Sequence, residues 1–117
     1  MADPALTALR DEVVASLDGL SGLRSKGMFG GYGLWAEDGL FFGIVDDGRV
    51  YFRTDAETRP AYDALDCTGF RYAAGEPPSD TYRSVPAAVL EDPAELTVWA
   101  ERALDATRRA KPSKRRR

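Results

Sequence analysis

The chain has 117 residues, enough for one compact domain with its own core and too few for two. All 19 acidic residues lie at or before Asp105 and 7 of the 16 basic ones lie beyond it, so residues 1–107 carry a charge of -10 within a total of -3. A folded part this acidic argues against a dedicated DNA-binding domain, and a chain with no histidine and the lone Cys67 argues against zinc sites, internal disulfides and Ser-His-Asp or Cys-His catalysis.

In chain order, Asp3-Pro4 has the form of a helix N-cap followed by proline, and Leu6, Leu9, Val13, Leu17 and Leu20 recur at spacings of three and four. This predicts an amphipathic first helix closing at Asp18-Gly19. The charges within this segment leave neither a signal peptide nor a membrane span, which makes the cytoplasm the expected location. Aromatic, Val and Gly residues then take over, with the turn signals Glu37-Asp38-Gly39 and Asp46-Asp47-Gly48 between apolar runs. Strands are predicted near residues 25–28, 31–36, 40–45 and 49–53, as an antiparallel meander. Thr54 and Glu57 have the spacing of a capping box for a short second helix, from about Thr58 to Leu65. The segments 69–73 and 81–85 are strand-like and are separated by a Pro- and Gly-rich loop. Asp92-Pro93, with Glu95 at the capping-box position and Leu96, Trp99, Ala103 and Leu104 on one face, predicts a final helix. Residues 108–117, with Arg108, Arg109, Lys111, Lys114, Arg115, Arg116 and Arg117, are expected to form a disordered basic tail on a domain of residues 1–107, able to touch polyanions weakly and non-specifically.

Residues 31–36 match the string G-x-G-x-x-G/A, but that motif holds a pyrophosphate on the helix it opens, and here a hairpin follows. The glycines are therefore expected to serve strand packing, and no nucleotide cofactor is implied. Asp46-Asp47-Gly48 lacks the further ligands of a calcium loop. Ser25 and Lys26, as neighbours in a strand, point to opposite sides and form no dyad. Cys67 is expected to be a packing residue. No catalytic or metal-binding constellation emerges.

Charge placement is more informative. The predicted strands contain Arg24, Lys26, Arg49, Arg53, Arg71 and Arg83 but no Asp or Glu. With a period of two, Arg49, Tyr51 and Arg53 oppose Val50 and Phe52, Phe70 and Tyr72 oppose Arg71, and Tyr82 opposes Arg83. With helices on the apolar side, the other side becomes a cationic, partly aromatic surface. In the third strand, Leu40, Phe42 and Ile44 are apolar on one side and Phe41, Gly43 and Val45 on the other, so burial on both sides is expected, with a second copy of the chain as a candidate cover.

Residues 24–35, 46–53, 58–64, 69–72, 81–96 and 99–104 together resemble the N-terminal domain of the TfoX (Sxy) competence-regulator family, over about residues 5–107. Met28, Phe29, Gly30, Gly31 and Gly33 carry the most specific part, supported by Gly48, Tyr51, Arg53, Phe70, Tyr72, Tyr82, Pro86, Asp92, Leu96, Trp99 and Leu104. The resemblance implies a two-layer α+β domain, similar to secretion-chaperone-like folds, with an antiparallel sheet. The element order read above is α-β-β-β-β-α-β-β-α, with five to six strands. It also implies a bacterial role in gene regulation without a known enzymatic reaction. The expected function is that of a non-enzymatic regulatory or adaptor module that binds a protein partner and forms a homodimer, through a face carrying Arg24, Lys26, Arg49, Tyr51, Arg53, Arg71 and Arg83. The alternatives are a nucleic-acid-associated regulator using the tail, and a ligand-binding domain or enzyme with a pocket lined by Phe29, Tyr32 and Trp35.

Overall fold

The computed structural model describes residues 4–28, 30–37, 39–46, 48–65, 67–71 and 75–110. The elements run α1 (Pro4–Ser16), β1 (Arg24–Met28), β2 (Gly31–Ala36), β3 (Leu40–Asp46), β4 (Arg49–Arg53), α2 (Arg59–Asp63), β5 (Tyr82–Ser84), α3 (Ala87–Leu90) and α4 (Pro93–Ala110). The sheet is an antiparallel meander in the order β1-β2-β3-β4-β5, and the helices lie on one side of it, an α+β architecture in two layers. The two Asp-Gly signals become hairpin turns. Gly39 and Gly48 hold φ of +90° and +74°, where a Cβ is unwelcome, while Asp38 and Asp47 lie outside the described residues.

The main core lies between the layers. Leu6, Val13 and Leu17 from the first helical segment, Tyr62 from α2, Val89 from α3 and Leu96, Trp99 and Leu104 from α4 pack on Leu34, Ala36, Phe42, Val45, Val50 and Phe52 of the sheet. Asp92 caps α4 as its sequence indicates, its Oδ1 accepting from the Ala94 and Glu95 amides at 3.1 and 3.3 Å. Tyr62 stacks edge-on against Trp99, with centroids 4.8 Å apart, and burial raises its hydroxyl pKa well above that of a free tyrosine.

Several expectations need correction. The alternation predicted for β3 breaks, because Trp35 pairs with Phe41 while Leu34 pairs with Gly43, leaving Phe42 as an extra residue in a β-bulge. A single inserted residue reverses the facing of everything after it. Phe42 and Val45 therefore share the helix side, and Ile44 joins Phe41 on the other. There Ile44 is only 1% exposed, in a second cluster with Tyr51, Phe70 and Tyr82. One chain thus covers both sides of β3, and the argument for a dimer mate loses that ground. Of the predicted strand at 69–73, Gly69 makes an isolated bridge to Arg83, and Tyr72 and Ala73 lie outside the described residues. Thr54 and Glu57 form no capping box: the N-cap of α2 is Thr58, without a side-chain cap bond, Asp55 Oδ1 accepts from the Glu57 and Thr58 amides in the turn before the helix, and the Thr54 hydroxyl is drawn inward to the carbonyls of Asp80 and Thr81 at 3.0 and 2.9 Å.

Helix α4 also runs on to Ala110, past the boundary expected at Thr107. Arg108 pairs with Glu37 and Asp105, and Arg109 with Asp55 at 2.6 Å and Glu57 at 3.4 Å. These two arginines fasten the end of α4 to the turns after β2 and β4, so they belong to the folded domain. Lys111, Lys114, Arg115, Arg116 and Arg117 lie outside the described residues.

Candidate functional site

The glycines of residues 27–33 show why this segment is a strand pair and not a phosphate loop. A Cβ on Gly31 would collide with the Val45 carbonyl of the adjacent strand, and one on Gly33 would sit 2.6 Å from the Met28 sulfur and 2.7 Å from the Trp35 ring. The chain needs glycine here so that β2 can approach β3 and the Trp35 indole can fold over the sheet. Among the described residues the segment opens no helix, since β3 follows directly. Phe29 lies outside the described residues.

The folded indole is part of a row on the side of the sheet that the helices leave open. The β1–β2 register sets Arg24 against Trp35 and Lys26 against Gly33, so both cations share this side with Trp35. The Lys26 ammonium lies 5.4 Å from the Trp35 ring centre. Trp35 packs on Phe41 at 4.9 Å, Phe41 on Tyr82 at 5.7 Å, and the Arg53 guanidinium lies 6.0 Å over Tyr82. The result is an aromatic strip across the sheet with a cation over each end, each within cation–π range. Beside it, Tyr51 meets Phe70 edge-on at 5.2 Å.

Of the candidate residues, the fold brings Arg24, Lys26, Arg49, Tyr51 and Arg53 to this open side. Arg49 is exposed and donates to the Thr68 hydroxyl at 3.4 Å. Arg71 is exposed, donates to the Glu76 carbonyl, and lines a cavity of about 570 Å³ with Arg49, Tyr51 and Phe70. Arg83 also lines that cavity, although its place in β5 is on the helix side of the sheet. Its register partner is Phe52, a core residue on the helix side, and its guanidinium is held by Asp63 at 2.7 Å and the Cys67 carbonyl at 3.2 Å. Among the described residues no carboxylate forms an ion pair with Arg24, Lys26, Arg49, Arg53 or Arg71, in contrast to Arg83, Arg108 and Arg109.

The pocket expected from Phe29, Tyr32 and Trp35 does not form, because strand alternation divides its members. Tyr32 faces the helices, its hydroxyl 2.7 Å from that of Thr7 and its ring under Arg10, whereas Trp35 faces away. The aromatic strip was only partly legible beforehand. The turn at residues 37–39 could have placed Trp35 beside Phe41, but the bulge and the arrival of Tyr82 from β5 have no sequence signature of their own. Among the described residues no three His, Cys, Asp or Glu side chains gather as a metal site, and no helix is long and apolar enough to cross a membrane.

The element order, the glycine-dependent β1–β2 pair and the capped final helix agree with one family. A family model described as the TfoX N-terminal domain matches residues 15–107. The chain belongs to the TfoX N-terminal domain family, a competence-related regulatory family. The chain is also similar to a DNA transformation protein, TfoX1, of Aliivibrio fischeri, with 38% identity over 53 residues. That stretch is 45% of this chain and 25% of the relative, so the chain spans about a quarter of the protein it matches.

Proposed function

We propose that this TfoX-type domain is a non-enzymatic regulatory module that recognises a protein partner through the open side of its sheet. The observation that carries the reading is the strip Trp35-Phe41-Tyr82 flanked by Lys26 and Arg53, cations with no carboxylate partner among the described residues. Aromatic and arginine side chains are enriched where proteins meet, because they offer large contact area and directional polar groups together. The competence-related family and the name of the relative point to DNA transformation as the process such binding would serve.

The test is a photocrosslinking residue placed at Lys26 on the open side and, separately, at the exposed Glu101 of α4, each in the full chain in its native host. Protein adducts formed from position 26 and not from position 101 support the reading. No protein adduct from position 26, or the same adducts from both positions, would sink it.

A further inference from the structure

The two edges of the sheet are finished differently. On the outer side of β5, the Phe70 amide donates to the Tyr82 carbonyl at 2.8 Å, the Ser84 amide to the Thr68 carbonyl at 2.7 Å, and the Thr68 amide to the Ser84 hydroxyl at 3.0 Å. The chain has covered that edge with its own segment. At the other edge, β1 has a single strand neighbour, β2, and among the described residues no backbone hydrogen bond beyond that ladder involves residues 24–28. Alternate amides and carbonyls of β1 are left for another strand to use. Arg24, Lys26 and Gly27 are exposed, no proline interrupts the strand, and a hollow of about 420 Å³ lined by Arg24, Ser25, Lys26 and Trp35 lies along it.

Charge selects what can pair there. Arg24 and Lys26 stand two residues apart on one side of β1, and directly opposed side chains attract or repel according to sign. The antiparallel register that pairs all five β1 residues with a second copy sets Lys26 against Lys26. Lysine on an edge thus repels another β1, and an acidic strand reverses the sign of the same interaction.

We infer that β1 accepts an extended acidic segment of a partner protein as a sixth strand, with carboxylates at alternate positions facing Arg24 and Lys26 and main-chain hydrogen bonds closing the edge. This is strand addition with electrostatic selection. It rests on the reading of the open side as a partner surface and adds the mode of recognition and the chemistry of the partner.

The test uses the full chain and four synthetic nonapeptides: Glu alternating with Thr and Val, the same peptide with Lys for Glu, a scrambled version with its Glu residues consecutive, and the alternating Glu peptide N-methylated along the edge facing the protein. Binding is followed by amide chemical shifts and hydrogen exchange. The alternating Glu peptide is expected to bind, to shift and protect amides of residues 24–28, and to weaken as salt rises. Its N-methylated form and the other two peptides are expected to bind at least tenfold more weakly. The double variant Arg24→Glu, Lys26→Glu should reverse the preference in favour of the Lys peptide, a gain that a misfolded variant would not show.

Equal binding of the N-methylated peptide, or shifts centred on Arg49 and Arg53 without protection of residues 24–28, would overturn strand addition. The partner surface itself would then still stand on its crosslinks from position 26. A dimer by light scattering with residues 24–28 protected in the absence of peptide would also overturn it, since a second copy would then be the occupant.

Discussion

The two sides of this sheet are both aromatic, yet they are finished in different ways. On the helix side, Phe42 and Phe52 are wholly buried, with centroids 5.6 Å apart under α1 and α4. Thr107 of α4 is 2% exposed and donates to the Ala103 carbonyl at 2.9 Å. On the open side, Ile44, Tyr51, Phe70 and Tyr82 are buried, but Trp35 and Phe41 are only half-buried and are bordered by cations with no ion-paired carboxylate among the described residues. One side is closed by covalently attached helices. The other is closed only in part, at the β4–β5 end, by the short segment around Phe70. A sheet covered this unevenly concentrates its buried contacts on one side, and the other is the side we propose for partner recognition.

Four variants would break or sharpen that contrast. The largest effect is expected at Phe52→Ala, which removes a wholly buried ring from the helix side and should lower unfolding free energy by about 3–5 kcal/mol in chemical denaturation. A loss below about 1 kcal/mol would mean that the main core does not lie there. Gly33→Ala asks whether the open side is packed at all, since its Cβ would meet the Met28 sulfur and the Trp35 ring. A loss of about 1–3 kcal/mol, with a shift in tryptophan fluorescence, is expected. Unchanged stability would show that the indole moves aside freely.

Asp55→Asn probes the fastening of α4 through pH. The hydrogen bond from Arg109, helped by the Thr58 and Glu57 amides, holds the Asp55 carboxyl below its ordinary value of 3.8 against the opposing effect of burial. A group whose pKa falls on folding stabilises the fold above its unfolded value and loses that contribution as pH falls through the folded one. The stability gap between wild type and variant should therefore stay constant from neutral pH down to about 3.8 and close below it. A gap that persists in strong acid would exclude ionisation as its source. The smallest effect is expected for Lys26→Ser with Arg53→Ser, whose side chains end at the surface. Stability should change by less than about 0.5 kcal/mol per site while crosslinking from a photoreactive residue placed at Arg24, on the same side of the sheet, falls sharply. A large loss of stability would make these cations structural.

Much of the architecture was legible because it rests on local chemistry. Asp92-Pro93 starts α4, the Gly39 and Gly48 turns fix three of the meander's strands, and the glycines at 31 and 33 belong to strands that pass close to neighbours. The charge layout was legible for the same reason, since alternation along β4 alone places Arg49, Tyr51 and Arg53 on one side. What the sequence could not supply was long-range pairing. Arg83 alternates with Tyr82 as expected, but only the register against β4 shows that its side is the helix side. Arg108 and Arg109 form part of a basic run, and only the arrival of Glu37 and Asp55 beside them makes them struts of the fold. The bulge at Phe42 likewise depends on how β3 fits β2.

By itself, then, the sequence determined the meander, its flanking helices and the family, because turns, caps and alternation act over a few residues; the expectation of strands without carboxylates fails at Asp46, the last residue of β3, which pairs with Arg49. Only the tertiary structure decided which cations have no ion-paired carboxylate among the described residues, that Ile44 is covered within one chain, and that among the described residues β1 is the edge left open. Each of those depends on contacts between residues far apart in the chain, which local pattern does not encode.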